Sequence, residues 1–232
     1  MLRYRRSLIG PFWLTLSMGI MVGAMGLIYG ELFKVDASSY LPYLAIGLLV
    51  WALISSCISE GCQTFIESQW LILQINVPLS TFPLRVIWRN LIVFLHNIVI
   101  YLLVVLIFGI KFKWITFAAI PALLLVFINA FWCAILLGML SARFRDLPQI
   151  VVNMLQIAFF ATPIFWHANL ITTKIVVTAN PFYHFIELIR APLLGQAPAL
   201  ISWVVVGTVT VAGTGVTSLF FRRFRRRIAV WV

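Results

Sequence analysis

Hydrolytic or group-transfer chemistry requires paired carboxylates, a nucleophile beside a base, or a set of metal ligands. The six acids of this chain are Glu31, Asp36, Glu60, Glu67, Asp146 and Glu187. Each stands near an end of an apolar run and none in the middle of one. Cys57, Cys62 and Cys133 lie in or beside such runs, without a Cys-x-x-Cys pair or a histidine at metal spacing, so neither a disulfide framework nor a metal site is implied. No Gly-x-x-x-x-Gly-Lys-Ser/Thr loop occurs, and the chain cannot by itself cradle the phosphates of ATP. The residues argue against an enzyme, and any work drawn from ATP must come through another polypeptide.

Polar groups with regular spacing are found instead within one apolar run. Gln149, Asn153, Gln156, Phe160, Pro163 and His167 fall on one face at helical spacing. Amides in line with an aromatic suit a wet path for sugars, and Phe159 and Trp166 add flat apolar faces of the kind that cover sugar rings. Buried amides equally hydrogen-bond neighbouring helices. Trp166, like Trp13, Tyr40, Tyr43, Trp88 and Trp114, is also at a run end, where aromatics anchor at the membrane interface. Upstream, Arg89 shares a face with His96, and Asn90 with Asn97 and Tyr101. His96 reads as a structural histidine, because no carboxylate at helical spacing completes a proton relay. Gly19, Gly23, Gly26 and Gly30 step by four, three and four, a stripe that lets another helix approach closely, in the same chain or in a second copy.

The chain that positions these groups is too apolar to be soluble. Of its 232 residues 63% are hydrophobic and 10% charged, against about 25% charged in soluble domains. Runs long enough for a bilayer core of about 30 Å occupy 11–33, 40–61, 86–108, 115–140, 150–166 and 200–221. They predict an all-α integral membrane protein, a single transmembrane domain over 1–232 with six transmembrane helices. The first run is too long for the apolar core of a signal peptide and reads as a retained span. Six spans put both termini on one face. Twelve of the 17 basic residues gather there: Arg3, Arg5, Arg6, Arg85, Arg89, Arg143, Arg145, Arg222, Arg223, Arg225, Arg226 and Arg227. The positive-inside rule makes that face cytoplasmic, so the formal charge of +11 marks topology and no nucleic-acid partner is implied.

Between the fifth and sixth runs, 167–199 holds two helix-like pieces too short to span, hence re-entrant or lying in the outer interface. The second has Asn180 as N-cap, Pro181 at the first helical position and Gly195 as stop, with Glu187 and Arg190 spaced to pair on its surface. On the cytoplasmic side, 63–85 carries a short amphipathic piece with Pro78 and Pro83. It predicts a helix along the membrane surface that presents Glu67 and Ser68 to a partner, or one packed on its own bundle. Arg143 and Arg145 precede Asp146, which is placed to cap the fifth helix.

Several longer pieces stand in a telling order: RYRRSLIGPFW at the start, EGCQTFI with NVPLS and RVIWRNLIVFLHNIVIY around the third run, ARFRDLPQIV before the fifth, ATPIFW at its end, and NPFYHFIELIRAPLLG beyond. In this order they resemble the permease subunits of bacterial ABC exporters for O-antigen, capsule and teichoic acid, the type-2 export permease family. The resemblance implies a six-helix permease of the bacterial inner membrane, working as a homodimer around a channel for a lipid-linked polysaccharide and embedded in membrane lipid. It implies two copies of a separate ATPase subunit that bind ATP and magnesium. Because the chain lacks a phosphate loop yet presents charges at 63–80 and 141–149, such an ATPase is expected to touch these two segments, with Glu67, Ser68, Arg143, Arg145 and Asp146 as the coupling residues. The resemblance also implies an amphipathic interface helix ahead of the RYRRS motif, where two residues stand here. Two other classes compete. An ion-coupled carrier or channel would need an essential charge within the membrane; an enzyme acting on lipid-linked sugars would need an exposed acid, base or metal cluster.

In a cysteine-free background, the substitutions Asp36→Cys, Phe112→Cys and Lys174→Cys are expected to react with an impermeant thiol reagent from outside. Ser68→Cys, Phe144→Cys and Arg226→Cys are expected to react only from inside. Labelling of Arg226→Cys from outside would end the six-span topology.

Overall fold

The computed structural model describes residues 12–74, 77–168 and 174–231; the RYRRS motif lies outside them. Among the described residues ten helices are arranged in chain order: α1 (Phe12–Phe33), α2 (Ala37–Glu67), α3 (Gln69–Gln74), α4 (Thr81–Phe108), α5 (Ala119–Arg143), α6 (Leu147–Ala161), α7 (Lys174–Thr178), α8 (Pro181–Leu193), α9 (Leu200–Phe224) and α10 (Ile228–Trp231). Short 3-10 turns at Trp114–Ala118 and Arg225–Arg227 precede α5 and α10. Five segments built on α1, α2, α4, α5 and α9 are long and apolar enough to cross a membrane, and α6 is a shorter apolar helix. The protein is an all-α membrane protein of about six apolar helices.

The core forms around α2, whose long apolar stretch from Tyr40 to Ile54 is buried on nearly every side. Its most extensive contacts are with α5 and α4. Close approach to α5 depends on small residues, because helices in lipid gain from tight packing where no hydrophobic drive separates them. A β-carbon at Gly61 would lie 2.8 Å from Ala134 Cβ and 2.9 Å from its Cα, and one at Gly138 would lie 2.7 Å from Thr64 Cγ2 and 3.0 Å from the Gly61 carbonyl. Hydrogen bonds join α5 to α9: Asn129 Nδ2 donates to Thr210 Oγ1 (2.6 Å) and Thr217 Oγ1 to the Trp132 carbonyl (3.4 Å), while the Trp132 indole steadies Asn129 within α5 by donating to its Oδ1 (2.9 Å). Glu60 of α2 pairs with Arg89 of α4 at 2.7 Å and accepts from Asn90 Nδ2. The Asn90, Asn97 and Tyr101 face is buried, and His96 donates from Nδ1 to the Ile92 carbonyl of its own helix (2.8 Å).

The glycine stripe of α1 divides. The place of a β-carbon at Gly26 is filled by Leu41 of α2, that at Gly30 is 3.9 Å from the Tyr40 ring, and that at Gly19 is 3.9 Å from Ile100 of α4. At Gly23 it meets nothing within 4 Å.

Two expectations are corrected. The fifth run does not continue as helix to residue 166: α6 ends at Ala161, with Thr162 extended (φ −99, ψ 136). Thr162 precedes Pro163, whose ring drives the preceding residue out of the helical region, so α6 rises only about 22 Å. Asp146 occupies the position before α6, but its side chain makes no capping bond and its backbone is already helical (φ −82, ψ −17). By contrast α8 begins and stops as its sequence predicts. Asn180 Oδ1 accepts from the Phe182 N–H (3.0 Å), and Gly195 (φ +76) closes the helix with N–H bonds from Gly195 to Pro192 O (2.9 Å) and from Gln196 to Ala191 O (2.8 Å).

Replacing Gly61 by Ala is expected to destabilise the purified protein by about 1–3 kcal/mol through overpacking against the Ala134 backbone. Gly207→Ala, which meets nothing within 4 Å, is expected to be neutral or mildly stabilising. Thermal unfolding in detergent checks both, and equal effects would show that α2 and α5 are not in close contact.

Candidate functional site

A groove of about 590 Å³ runs between α1, α2 and α6, open on one side. One wall is the serine row of α2, Ser55, Ser56 and Ser59, below Trp51; the other is Gln156, Phe159 and Phe160 of α6; Met18 and Met21 of α1 close the floor. Serines at positions one and four residues apart share a helix face. Ser55 and Ser59 donate back to the Ala52 and Ser55 carbonyls (3.3 and 2.8 Å), which leaves their lone pairs directed outward as acceptors. Gln149, Asn153, Gln156 and Phe160 are all exposed on the outer face of α6, and Gln149 Nε2 donates to Asn153 Oδ1 (3.3 Å). This surface presents hydroxyls and amides between aromatic faces.

The row does not extend to His167 and Trp166, because the helix has ended. The Trp166 indole turns back to the Phe160 carbonyl (3.3 Å), and His167 lies over Tyr43, ring centroids 4.2 Å apart. Here the unwound ATPIFW stretch is pinned. Tyr43 donates to the Pro163 and Trp166 carbonyls (3.0 and 3.1 Å), Tyr40 to the Phe165 carbonyl (2.5 Å), and Arg190 Nη1 to Pro163 O (2.9 Å). The Arg190 guanidinium also lies 3.9 Å over the Tyr43 ring. It therefore does not pair with Glu187 on the surface of α8, as the spacing suggested. It is 1% exposed, beside a carbonyl that needs a donor. Gly47 leaves the space for it, since a β-carbon there would stand 2.6 Å from Arg190 Nη2.

At the opposite end, Glu67 is exposed and Ser68 half-buried at the close of α2, and the Ser68 carbonyl accepts from Ile72 of α3 (3.0 Å). A shallow cleft of about 400 Å³ lies along α3, lined by Ile66, Glu67, Gln69, Trp70, Leu73 and Gln74. Arg143, Arg145 and Asp146 are exposed between α5 and α6, and Arg145 Nη2 donates to the Trp231 carbonyl of α10 (3.3 Å). Sequence reasoning missed the serine row, whose spacing on α2 was its available signal, and the buried Arg190.

Residues 1–194 match the family model described as ABC-2 type transporter. The chain belongs to this family. Similar proteins include the O-antigen export system permease protein RfbA of Myxococcus xanthus, 26% identical over 188 residues, covering 77% of this chain and 70% of that protein. Two RfbA proteins of Klebsiella pneumoniae are 25% identical over 183 residues and 24% identical over 230, the latter covering 96% of this chain and 88% of the relative. In this ABC-2 transporter, then, the groove belongs to a membrane permease, and the cluster around Tyr43 shapes its end.

Burial, and after it the charge of Arg190, holds the His167 imidazole below its ordinary pKa of 6.5. A base whose pKa falls on folding lends stability that is fully present above its unfolded value and lost as pH drops through the window below it. Acidification below 6.5 is thus expected to loosen the 162–168 segment of the ABC-2 chain, read as faster amide exchange there. His167→Phe keeps a ring over Tyr43 without titrating and should remove that response. Glu187, whose carboxyl burial pushes up, acts in the opposite sense and is common to both proteins; equal pH dependence in the two would exclude His167 as the source.

Proposed function

We propose that this chain is the membrane-spanning subunit of an ATP-driven exporter that moves a lipid-linked polysaccharide across the bacterial inner membrane, and that the groove between α1, α2 and α6 is half of its path. The observation that carries this reading is the facing of Ser55, Ser56 and Ser59 with Gln156, between Trp51, Phe159 and Phe160, on the open side of the chain. A polymer must slide, so its path needs many weak contacts and no deep site. Hydroxyls and amides exchange hydrogen bonds with sugar hydroxyls directly or through water, and aromatic faces cover the apolar sides of the rings. The names of the O-antigen export permeases to which the chain is similar support the same substrate class.

An open half-tube becomes a channel when a second copy closes it, so the working unit is a homodimer. Without a phosphate loop of its own, the chain takes its energy from two ATPase subunits that hold ATP and magnesium. They dock where α3 exposes Trp70 and Leu73, at 59% and 58%, beside Glu67, Ser68 and the Arg143, Arg145 and Asp146 loop. That end carries most of the arginines and faces the cytoplasm together with both termini.

Export from proteoliposomes containing the ATPase is expected to stop in Ser56→Trp and Gln156→Trp, with complex assembly unchanged, because each fills the path from one wall. Leu106→Trp on the outer face of α4, 77% exposed, is expected to export normally. Normal export by both groove variants would place the path elsewhere, and transport by the chain alone on an ion gradient would replace the exporter by a carrier.

A further inference from the structure

The end of α9 and the turn behind it carry Arg222, Arg223, Arg225, Arg226 and Arg227, all exposed. Among the described residues the one ion pair joins Arg89 to Glu60, so none of these five has a carboxylate partner. Helix α9 has 25 residues, a rise of about 37 Å, which exceeds a hydrocarbon core of about 30 Å and puts the arginines at headgroup depth.

Behind the arginines the chain folds into a packed hook. The 3-10 turn Arg225–Arg227 breaks the helix, and Ile228, fully buried, enters a cluster with Phe65, Phe82, Ile135, Met139 and Ala142. Phe220, Phe224 and Trp231 stand in successive ring contact, centroids 4.6 and 5.8 Å apart, and the Arg227 guanidinium carbon is 5.8 Å from the Phe224 ring centre. Both sides of the turn are thus fixed. Five like charges are concentrated in six residues, where they repel one another and, through the turn, work against the seating of α10.

We propose that this five-arginine hook binds the phosphates of anionic phospholipid headgroups, and that lipid bound there holds α10 against α5 and α3. Clustered basic residues directly after a membrane span are drawn to anionic lipid surfaces, and the guanidinium fork matches phosphate geometry. The aromatic row beside the arginines is of the kind that anchors at the interface, which favours a lipid over a protein partner standing off the membrane. Neutralising the arginines removes the repulsion opposed to the docking of Ile228 and Trp231.

The test uses the full chain in nanodiscs of phosphatidylcholine, with and without phosphatidylglycerol. Native mass spectrometry is expected to find phosphatidylglycerol retained by the wild type and by the variant Arg225→Lys, Arg226→Lys, Arg227→Lys. Retention should be about tenfold weaker or less in the variant Arg225→Gln, Arg226→Gln, Arg227→Gln. Amide exchange at 228–231 should slow with phosphatidylglycerol in the wild type, and raising the salt should reverse this without any mutation. Equal retention by the wild type and the Gln variant would overturn the proposal, as would equal protection of 228–231 in both lipid mixtures. Association with the ATPase in phosphatidylcholine alone that is lost only in the Gln variant, with no response to phosphatidylglycerol, would assign the charges to a protein partner and overturn it too.

Discussion

A chain inside a bilayer has no water to which its backbone can turn, so every carbonyl released by a broken helix must find a donor in the protein. The stretch from Thr162 to Trp166 is where this constraint binds hardest. Pro163 ends α6 with its outward part missing, and the carbonyls of Pro163, Phe165 and Trp166 are released together. They are met by Tyr40 and Tyr43 from the first turns of α2 and by Arg190 from α8. A buried guanidinium is costly unless it is bonded; here it answers an equally costly carbonyl and rests on an aromatic ring. Two groups that each oppose burial offset one another in part, and Arg190 Nε and Nη2 are left with the aromatic ring in place of a hydrogen-bond acceptor.

The rest of that end of the bundle depends on the pin. Helix α8 supplies Arg190 and is consequently drawn in among α2, α5 and α9, where nearly every residue of its inner face is buried. Other polar groups of α8 find partners nearby: His184 shares a hydrogen bond with Ser202 (2.9 Å) and donates to the Thr178 carbonyl (2.9 Å), while Tyr101 of α4 donates to the Leu193 carbonyl (2.6 Å). Because α6 is short, Phe159 and Phe160 stand at the end of the groove beside Phe165 and give it an aromatic rim. The unwound stretch therefore settles the position of α8 and the shape of the groove at once.

Spans and punctuation were legible in the sequence because both are local. Apolar length marks a crossing, and Asn180, Pro181 and Gly195 act on the backbone within a few residues of themselves. The place where α6 ends was legible too, in Thr162 and Pro163, but apolar length outweighed it when the run was extended to residue 166. Partners across the fold were not legible. Glu187 and Arg190 have the spacing of a surface pair, yet the neighbour Arg190 finds is the Pro163 carbonyl, released only because a distant helix has broken. Ser55, Ser56 and Ser59 read as neutral residues in an apolar helix until α6 is set opposite them. Asp146 has the right type for a cap, and its own helical backbone angles turn its side chain away from that work.

One helix carries all of these sites. Helix α2 ends in the segment that leads to α3, bears the serine row in its middle and begins with the two tyrosines that hold the broken end of α6. Its 31 residues make a rod of about 46 Å. Gly61 and Gly138 seat this rod directly on α5, where a close-packed contact transmits displacement and does not absorb it. Force applied at α3 therefore cannot move the near end of α2 alone. It shifts the serine wall relative to α6, and it loads the tyrosine pin at the far end, where hydrogen bonds join α2 to the unwound stretch that follows α6. An exporter driven through α3, as proposed above, needs that mechanical continuity, and in this fold a single buried helix supplies it.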